Sequence, residues 1–256
     1  MKKQVALKEL TSYLNGLLKI DRVPADHSNN GLQVEGNPYV SKAVFGVDAC
    51  MELFEKAKEK NAGFIMAHHG LSWDNSFKRL NGLTGDRVRV LFQNGISLYA
   101  VHLPLDAHPE CGNNAVLSDI IGLKDREMFF EYSNVKIGIM GKIPKPLTAA
   151  RIGRLYDERL DSKHLIYGDA GRKVSRIGIV SGGAGSAIEE AACLGLDCFV
   201  TGEVTHSSYH VVKEAGIPVI SLGHYCSEIT GLRAVMKLIE NKFKIDCEFI
   251  DIPTGM

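Results

Sequence analysis

The feature that most constrains the fold is a unit that occurs twice. FGVDACMELFEKAKEKNAGFIMAHHG (45–70) and IGIVSGGAGSAIEEAACLGLDCFVTG (177–202) both read as strand, loop, helix, glycine, strand. Gly46 pairs with Gly178, Gly63 with Gly195 and Gly70 with Gly202, all at one constant offset. The correspondence continues in RVLFQNGISLYAVHLPLD (89–106) and YHVVKEAGIPVISLGHYCSE (209–228). Each gives a helix, Gly-Ile, an apolar strand, and a histidine with a carboxylate four residues on: His102 with Asp106, and His224 with Glu228. Strand–helix–glycine–strand units are common in α/β proteins. It is the shared glycine offset and the two His-xxx-carboxylate endings that favour a common architecture.

The expected fold class is therefore α/β: two similar α/β lobes with mixed sheets facing a central metal cleft. The first lobe is assigned to 1–125 and the second, a pseudo-repeat of the first, to 126–256. The first opens with a helix over Leu7–Ile20 and the loop DRVPADHSNNGLQVEGNP. In the second, Pro144 and Pro146 punctuate the chain after the strand VKIGIMGKI, and Thr148 caps the helix AARIGRLYDERL. A last helix, ITGLRAVMKLIENKF, is expected to start just after Glu228. Two such lobes would bring the strand ends of both copies to one cleft, where α/β proteins usually hold ligands.

Composition removes several functional classes. Thirty basic residues balance thirty acidic ones, so no global charge argues for nucleic acid or an anionic membrane. Local basic pairs, Lys78 with Arg79 and Arg172 with Lys173, keep nucleic-acid binding as an alternative. The opening amphipathic stretch is broken by Lys8, Glu9 and Asn15, and no run of 18 apolar residues occurs, so neither a signal peptide nor a membrane partner is expected. Six cysteines without a CxxC predict reduced, mostly buried thiols in a cytoplasmic protein.

The chemistry gathers where apolar runs end, at His68, His69, His102, Asp106, His224 and Glu228. Imidazole and carboxylate together suit zinc, iron or manganese. Adjacent side chains on an extended strand point to opposite faces. His68 and His69 are thus expected to serve two neighbouring ions rather than chelate one, with a carboxylate bridging the pair. Each residue also has a plainer reading. The histidine doublet can be a polar turn, Asp106 a helix N-cap, Glu228 a favourable charge at a helix start, and His102 a hydrogen-bonded core histidine. SGGAGS (181–186) can offer backbone N–H groups to a phosphate or be a close-packed turn. Glu203, His206 and His210 can support acid–base chemistry or belong to a polar helix start, and Trp73 can stack on a heterocycle or cover the site.

The motifs NNGLQV (29–34), AHHG (67–70), HLPLD (102–106), SGG (181–183), TGEVTH (201–206) and GHYCSE (223–228) run in order through nearly the whole chain. By them the sequence resembles the dinuclear-metal proteins named GTP cyclohydrolase I type 2 homologues, or NGG-interacting-factor-like proteins, in their short form. The resemblance implies a two-lobed α/β fold with a dinuclear site between the lobes, metal ligands at His68, His69, Asp106, His224 and Glu228, and a homohexameric ring. Gly70 stands where the family often has proline, Leu103 and Pro104 where it often has Thr-Asn, and Asn29 or Asn30 where it often has an acid. None of these departures removes a ligand.

The leading expectation is a metal-dependent hydrolase holding two divalent transition-metal ions. A hydroxide bridging them would attack a nucleotide-like or other small substrate, with His102, Glu203 or His206 carrying the proton to the leaving group. The alternatives are a metal-binding regulatory or chaperone-like protein without turnover, and a nucleic-acid-binding ring.

Overall fold

The computed structural model describes residues 3–77 and 79–255; Lys78, half of one basic pair, lies outside the described residues. The chain forms two compact units. The first comprises 1–105 and 232–252, the second 106–231 and 253–256, so neither is one continuous stretch of sequence.

In the first unit, strand β1 (Val5–Ala6) leads into helix α1 (Leu7–Leu18), which buries Leu7, Leu10, Leu14 and Leu18 at helical spacing. Strand β2 (Gly31–Val34) follows the long loop, and β3 (Tyr39–Val40) pairs antiparallel with β1. Then come β4 (Lys42–Asp48), α2 (Met51–Glu59), β5 (Phe64–His69), α3 (Gly82–Gln93), β6 (Ser97–Ala100) and the short helix α4 (Leu103–Asp106). Strands β4, β5 and β6 are parallel neighbours. They are apolar almost throughout, as strands buried on both faces must be. Helix α2 seals the sheet with Leu53, Phe54 and Ala57 against Val44, Ile65 and Leu98. Each large side chain so buried stabilises the unit by about 1.5–3 kcal/mol.

The second unit contains α5 (Asn113–Ile120), β7 (Lys124–Tyr132), β8 (Val135–Thr148), α6 (Ala149–Leu160), β9 (Leu165–Tyr167), β10 (Lys173–Val180), α7 (Ile188–Cys193), β11 (Cys198–Thr201), α8 (Tyr209–Glu214) and β12 (Val219–Ser221). Its sheet order is β7-β8-β10-β11-β12-β9, with β10, β11 and β12 parallel and the others antiparallel. Helix α9 (His224–Phe243) and strand β13 (Asp246–Phe249) close the chain, and β13 belongs to the first unit, where it pairs parallel with β4. Both units thus carry the repeated order, β4-α2-β5-α3-β6 and β10-α7-β11-α8-β12, within mixed sheets.

Three local expectations meet different outcomes. Thr148 caps α6, its Oγ1 accepting from Arg151 N at 3.2 Å. Pro144 and Pro146 do not end their strand. Val174 pairs with Leu147 but Arg176 with Lys142, so the prolines occupy a bulge where no ladder hydrogen bond is required. The last helix starts at His224, five residues earlier than the apolar periodicity of its core-facing part. Among the thiols, Cys111 and Cys198 are buried, Cys50, Cys226 and Cys247 half-buried, and Cys193 exposed. No helix among the described residues is long and apolar enough to cross a membrane.

Candidate metal centre

The first unit holds a cluster of imidazoles. Strand β5 is buried through His68, and only His69 at its end is partly open to solvent. The Nδ1 of His68 lies 2.9 Å from the carbonyl oxygen of Val101. A carbonyl only accepts, so Nδ1 carries the hydrogen and the neutral ring keeps its lone pair on Nε2. His69 makes the analogous contact to Asp48 Oδ1 at 2.8 Å, and His102 to Asp26 Oδ1, also at 2.8 Å. One ligand nitrogen from each of the three residues lies within 4.8 Å of the others. Three imidazoles, each oriented from behind by an acceptor, form a donor set that could hold a metal ion.

The rings of His68 and His69 do not diverge as strand alternation predicts. Their centroids are 4.8 Å apart. Strand β5 stops pairing with β6 at Ala67, and Asp48, opposite His69 on β4, draws the second ring by its Nδ1. The plain reading of His102 as a hydrogen-bonded histidine describes its Nδ1, yet its ring also lies 5.1 Å from that of His68.

The loop before β2 supports this group. Asp26, whose side chain is only 1% exposed, accepts from His102 Nδ1 and Ser28 N on Oδ1, and from Leu103 N and Asn30 Nδ2 on Oδ2. Burial raises its pKa, but the hydrogen bond and charge of His102, with the bonds from Asn30 and Ser28, outweigh it and the net shift is downward. Asn30 Oδ1 also accepts from His102 N at 2.7 Å. Gln33 crosses to the next loop, its Oε1 accepting from Leu71 N and Ser72 N. A Cβ on Gly70 would fall 2.4 Å from that oxygen, which explains glycine after the histidine pair. Trp73 donates its Nε1 hydrogen to Gly70 O and stands edge-on to His102 at 5.1 Å. In this arrangement it covers the imidazoles.

The second unit holds buried carboxylates and His224. Asp106 ends α4 rather than capping a helix; it is buried, and its Oδ1 accepts from Asn113 Nδ2 at 2.8 Å and Ser181 Oγ at 3.0 Å. Asn113 and Asn114, wholly buried at the start of α5, extend this frame. Asn113 Oδ1 accepts from Gly231 N, and Asn114 Oδ1 from Ser181 N. His224 and Glu228 lie one turn apart on α9, with Nε2 and Oε1 at 3.3 Å. Glu203 approaches the other side of the ring, 3.4 Å from Nδ1. The hydrogen bond to Glu228, reinforced by both negative charges against the cost of burial, raises the His224 pKa to about 9. A metal taking Nε2 would displace that proton.

SGGAGS is a close-packed turn that receives a carboxylate rather than a phosphate. Gly182 has φ +66°, and a Cβ there would meet Glu228 Oε1 at 2.4 Å. Its N–H is already given to Ser227 Oγ at 2.9 Å. His206 sits exposed on the turn His206–Ser208, and His210 is exposed on α8; no hydrogen bond or ion pair among the described residues ties either to His224 or Glu228. Reasoning from sequence missed Asp26, Asp48, Asn113 and Ser181 as supporting groups. Asp48 had a signal, since it ends the strand preceding the histidine strand.

The chain is thus an α/β protein with mixed sheets that carries histidine and glutamate groups able to hold a metal ion. A family model described as Duf34/NIF3 (NGG1p interacting factor 3) matches residues 5–255, and the chain belongs to that family. It is 42% identical over 249 residues to a Pyrococcus horikoshii protein named GTP cyclohydrolase 1 type 2 homolog, covering 97% of this chain and 98% of the relative. A Deinococcus radiodurans protein of the same name is 37% identical, covering 99% and 95% respectively. Among solved structures, protein ybgI, titled as of unknown function, aligns at TM-score 0.90 and 34% identity over 98% of this chain and all of that one. A crystal structure from Thermus thermophilus aligns at TM-score 0.88 and 37% identity, with the same coverage of both chains.

Proposed function

We propose that the protein is a metal-dependent hydrolase with a dinuclear centre of zinc, iron or manganese, held by His68, His69, Asp106, His224 and Glu228. The observation that carries this reading is the preparation of the donors. The histidines of the first unit have Nδ1 fixed by an acceptor, Asp106 of the second is buried with Asn113 and Ser181 donating to it, and Glu228 is buried beside His224. A nonpolar interior does not accumulate two buried carboxylates without a compensating positive charge. When bound, a pair of ions activates water near neutral pH and stabilises both the attacking and leaving oxygens.

The chain's own residues would divide the remaining work. His102, beside His68 and His69, is placed to carry a proton at Nε2, and Glu203 to steady His224 through Nδ1. Trp73 limits water around the imidazoles. The relatives' name puts nucleotide rings first among the substrates to try, followed by phosphodiesters and small amides. The test is turnover across such a panel by protein reloaded separately with zinc, manganese and iron. Turnover abolished by a chelator and restored by one metal is expected. Two ions bound without turnover of any substrate would leave a metal-binding regulatory protein instead. Assembly into a hexamer is part of the same proposal, and light scattering showing a 28.0 kDa monomer would remove it.

A further inference from the structure

The loop Asp26–Gln33 is remote in sequence from every proposed ligand, yet it holds His102 at two points and the neighbouring Leu103 at a third. Asp26 Oδ1 takes the ring Nδ1 hydrogen, Asn30 Oδ1 takes the backbone N–H of His102, and Asp26 Oδ2 takes the N–H of Leu103. The two remaining donors on Asp26, Ser28 N and Asn30 Nδ2, fix the carboxylate itself. Four donors converge on two oxygens at a side chain that water scarcely reaches, so the carboxylate has one orientation available.

We infer that Asp26 is a positioning residue for the centre, fixing His102 in the tautomer whose Nε2 lone pair is presented beside the nitrogens of His68 and His69. A loop fastened only for stability would have no reason to place a buried carboxylate behind an imidazole that keeps 20% of its side chain exposed. Backbone and amide partners would serve as well, as Gln33 in the same loop shows by accepting from Leu71 N and Ser72 N. The inference rests on the proposed function only for what His102 does next, which is to carry the proton of the reaction. Its own content is the tautomer and its cause.

Asparagine at 26 keeps the volume but offers one oxygen and one donor to four donors. The experiment uses the full chain loaded with zinc alone and labelled with ¹⁵N in histidine, with the His102 signals identified by their loss in His102→Gln. Long-range ¹H–¹⁵N spectra are expected to show the Nδ1–H form of His102 in the parent and a shift toward the Nε2–H form in Asp26→Asn. Where a substrate has been found, turnover should fall 10–100-fold, the range for groups behind a metal site. Asp26→Asn should add no further loss in a His102→Gln background. A parent carrying the Nε2–H form would overturn the inference whether or not the variant folds, as would an unchanged tautomer in a folded Asp26→Asn. Zinc content of His102→Gln separates this inference from the proposed function. Two ions retained supports the proton-carrying role, whereas an ion lost makes His102 a ligand and overturns that role while the positioning by Asp26 stands.

Discussion

The two units prepare their donors in opposite ways. The first presents imidazoles and orients each from behind, His68 by a carbonyl and His69 and His102 by carboxylates. The second presents carboxylates and surrounds them with amide, hydroxyl and glycine neighbours, Asn113 and Ser181 at Asp106 and Gly182 at Glu228. Nitrogen donors bring selectivity for transition metals, and anionic oxygens bring the charge that balances a dication. The two units therefore share an order of elements but differ in the side chains they place at its strand ends. At the end of β5 stand His68 and His69; at the equivalent end of β11 stand Val200 and Thr201, both buried, with Thr201 bonded to Gly182 O in support of the turn.

The largest expected effect breaks the second unit's contribution. Glu228→Gln preserves shape but removes the charge of a side chain that is 3% exposed. Zinc affinity should fall by more than the 10–100-fold typical of groups behind a ligand, with at least one ion lost per chain by elemental analysis. Circular dichroism should be unchanged, because each unit has its own buried sheet. Glu203→Gln is the control and should keep both ions, since Glu203 faces the far nitrogen of His224. Tight binding of both ions by Glu228→Gln would reduce that residue to a helix carboxylate.

The imidazole side predicts a smaller loss. Asp48→Asn leaves every nitrogen ligand in place but removes the carboxylate behind His69. A fall of about 10–100-fold in metal affinity is expected by competition with a chelator. If the variant binds as the parent does, the pairing across β4 and β5 is structural only.

The sequence made this asymmetry half legible. The histidine doublet and the two His-xxx-carboxylate endings stood out because they interrupt apolar runs at ends that recur. What lay behind them was hidden by distance along the chain. Asp26 is 76 residues from His102, and no periodicity relates a loop carboxylate to a strand end that far away. The start of α9 was hidden for a different reason. GHYCSE has no apolar stripe, because polar Ser227 and Glu228 fill buried positions there, so the helical pattern becomes visible only after them. The convergence of His68 and His69 depends on where pairing with β6 stops, a property of the sheet and not of the strand.

Gly182→Ala probes the turn that admits Glu228. A left-handed backbone at a residue with Cβ costs about 1–2 kcal/mol, and at φ +66° the new methyl also meets the carboxylate. Denaturant unfolding should show a loss of at least that size, accompanied by weaker zinc binding. Lost stability with unchanged zinc affinity would mean that Glu228 moves aside without cost to the metal.

The smallest effect belongs to the segment beside the imidazoles. Exposed His27 pairs with Asp74 at 2.8 Å, and Asp74 N donates to His27 O, tying the segment that carries Trp73 to the Asp26 loop. The hydrogen bond to Asp74, helped by its charge and that of Asp26, raises the His27 pKa above its ordinary 6.5. A raised value in the folded chain means the tie is fully present below the unfolded pKa and is lost as pH rises through the folded one. Trp73 is the single tryptophan and reports on the segment directly. Its emission should move to longer wavelength as pH rises from 6 to above that pKa, as the segment loosens. His27→Ala should show the high-pH emission throughout, while Asn29 and Gln33 still hold the segment's backbone. Trp73 also stands beside His102 and His69, so the variant must be compared with the parent at matched metal content. An identical pH step in parent and variant would assign the response to those inner imidazoles and leave the His27 tie without a role.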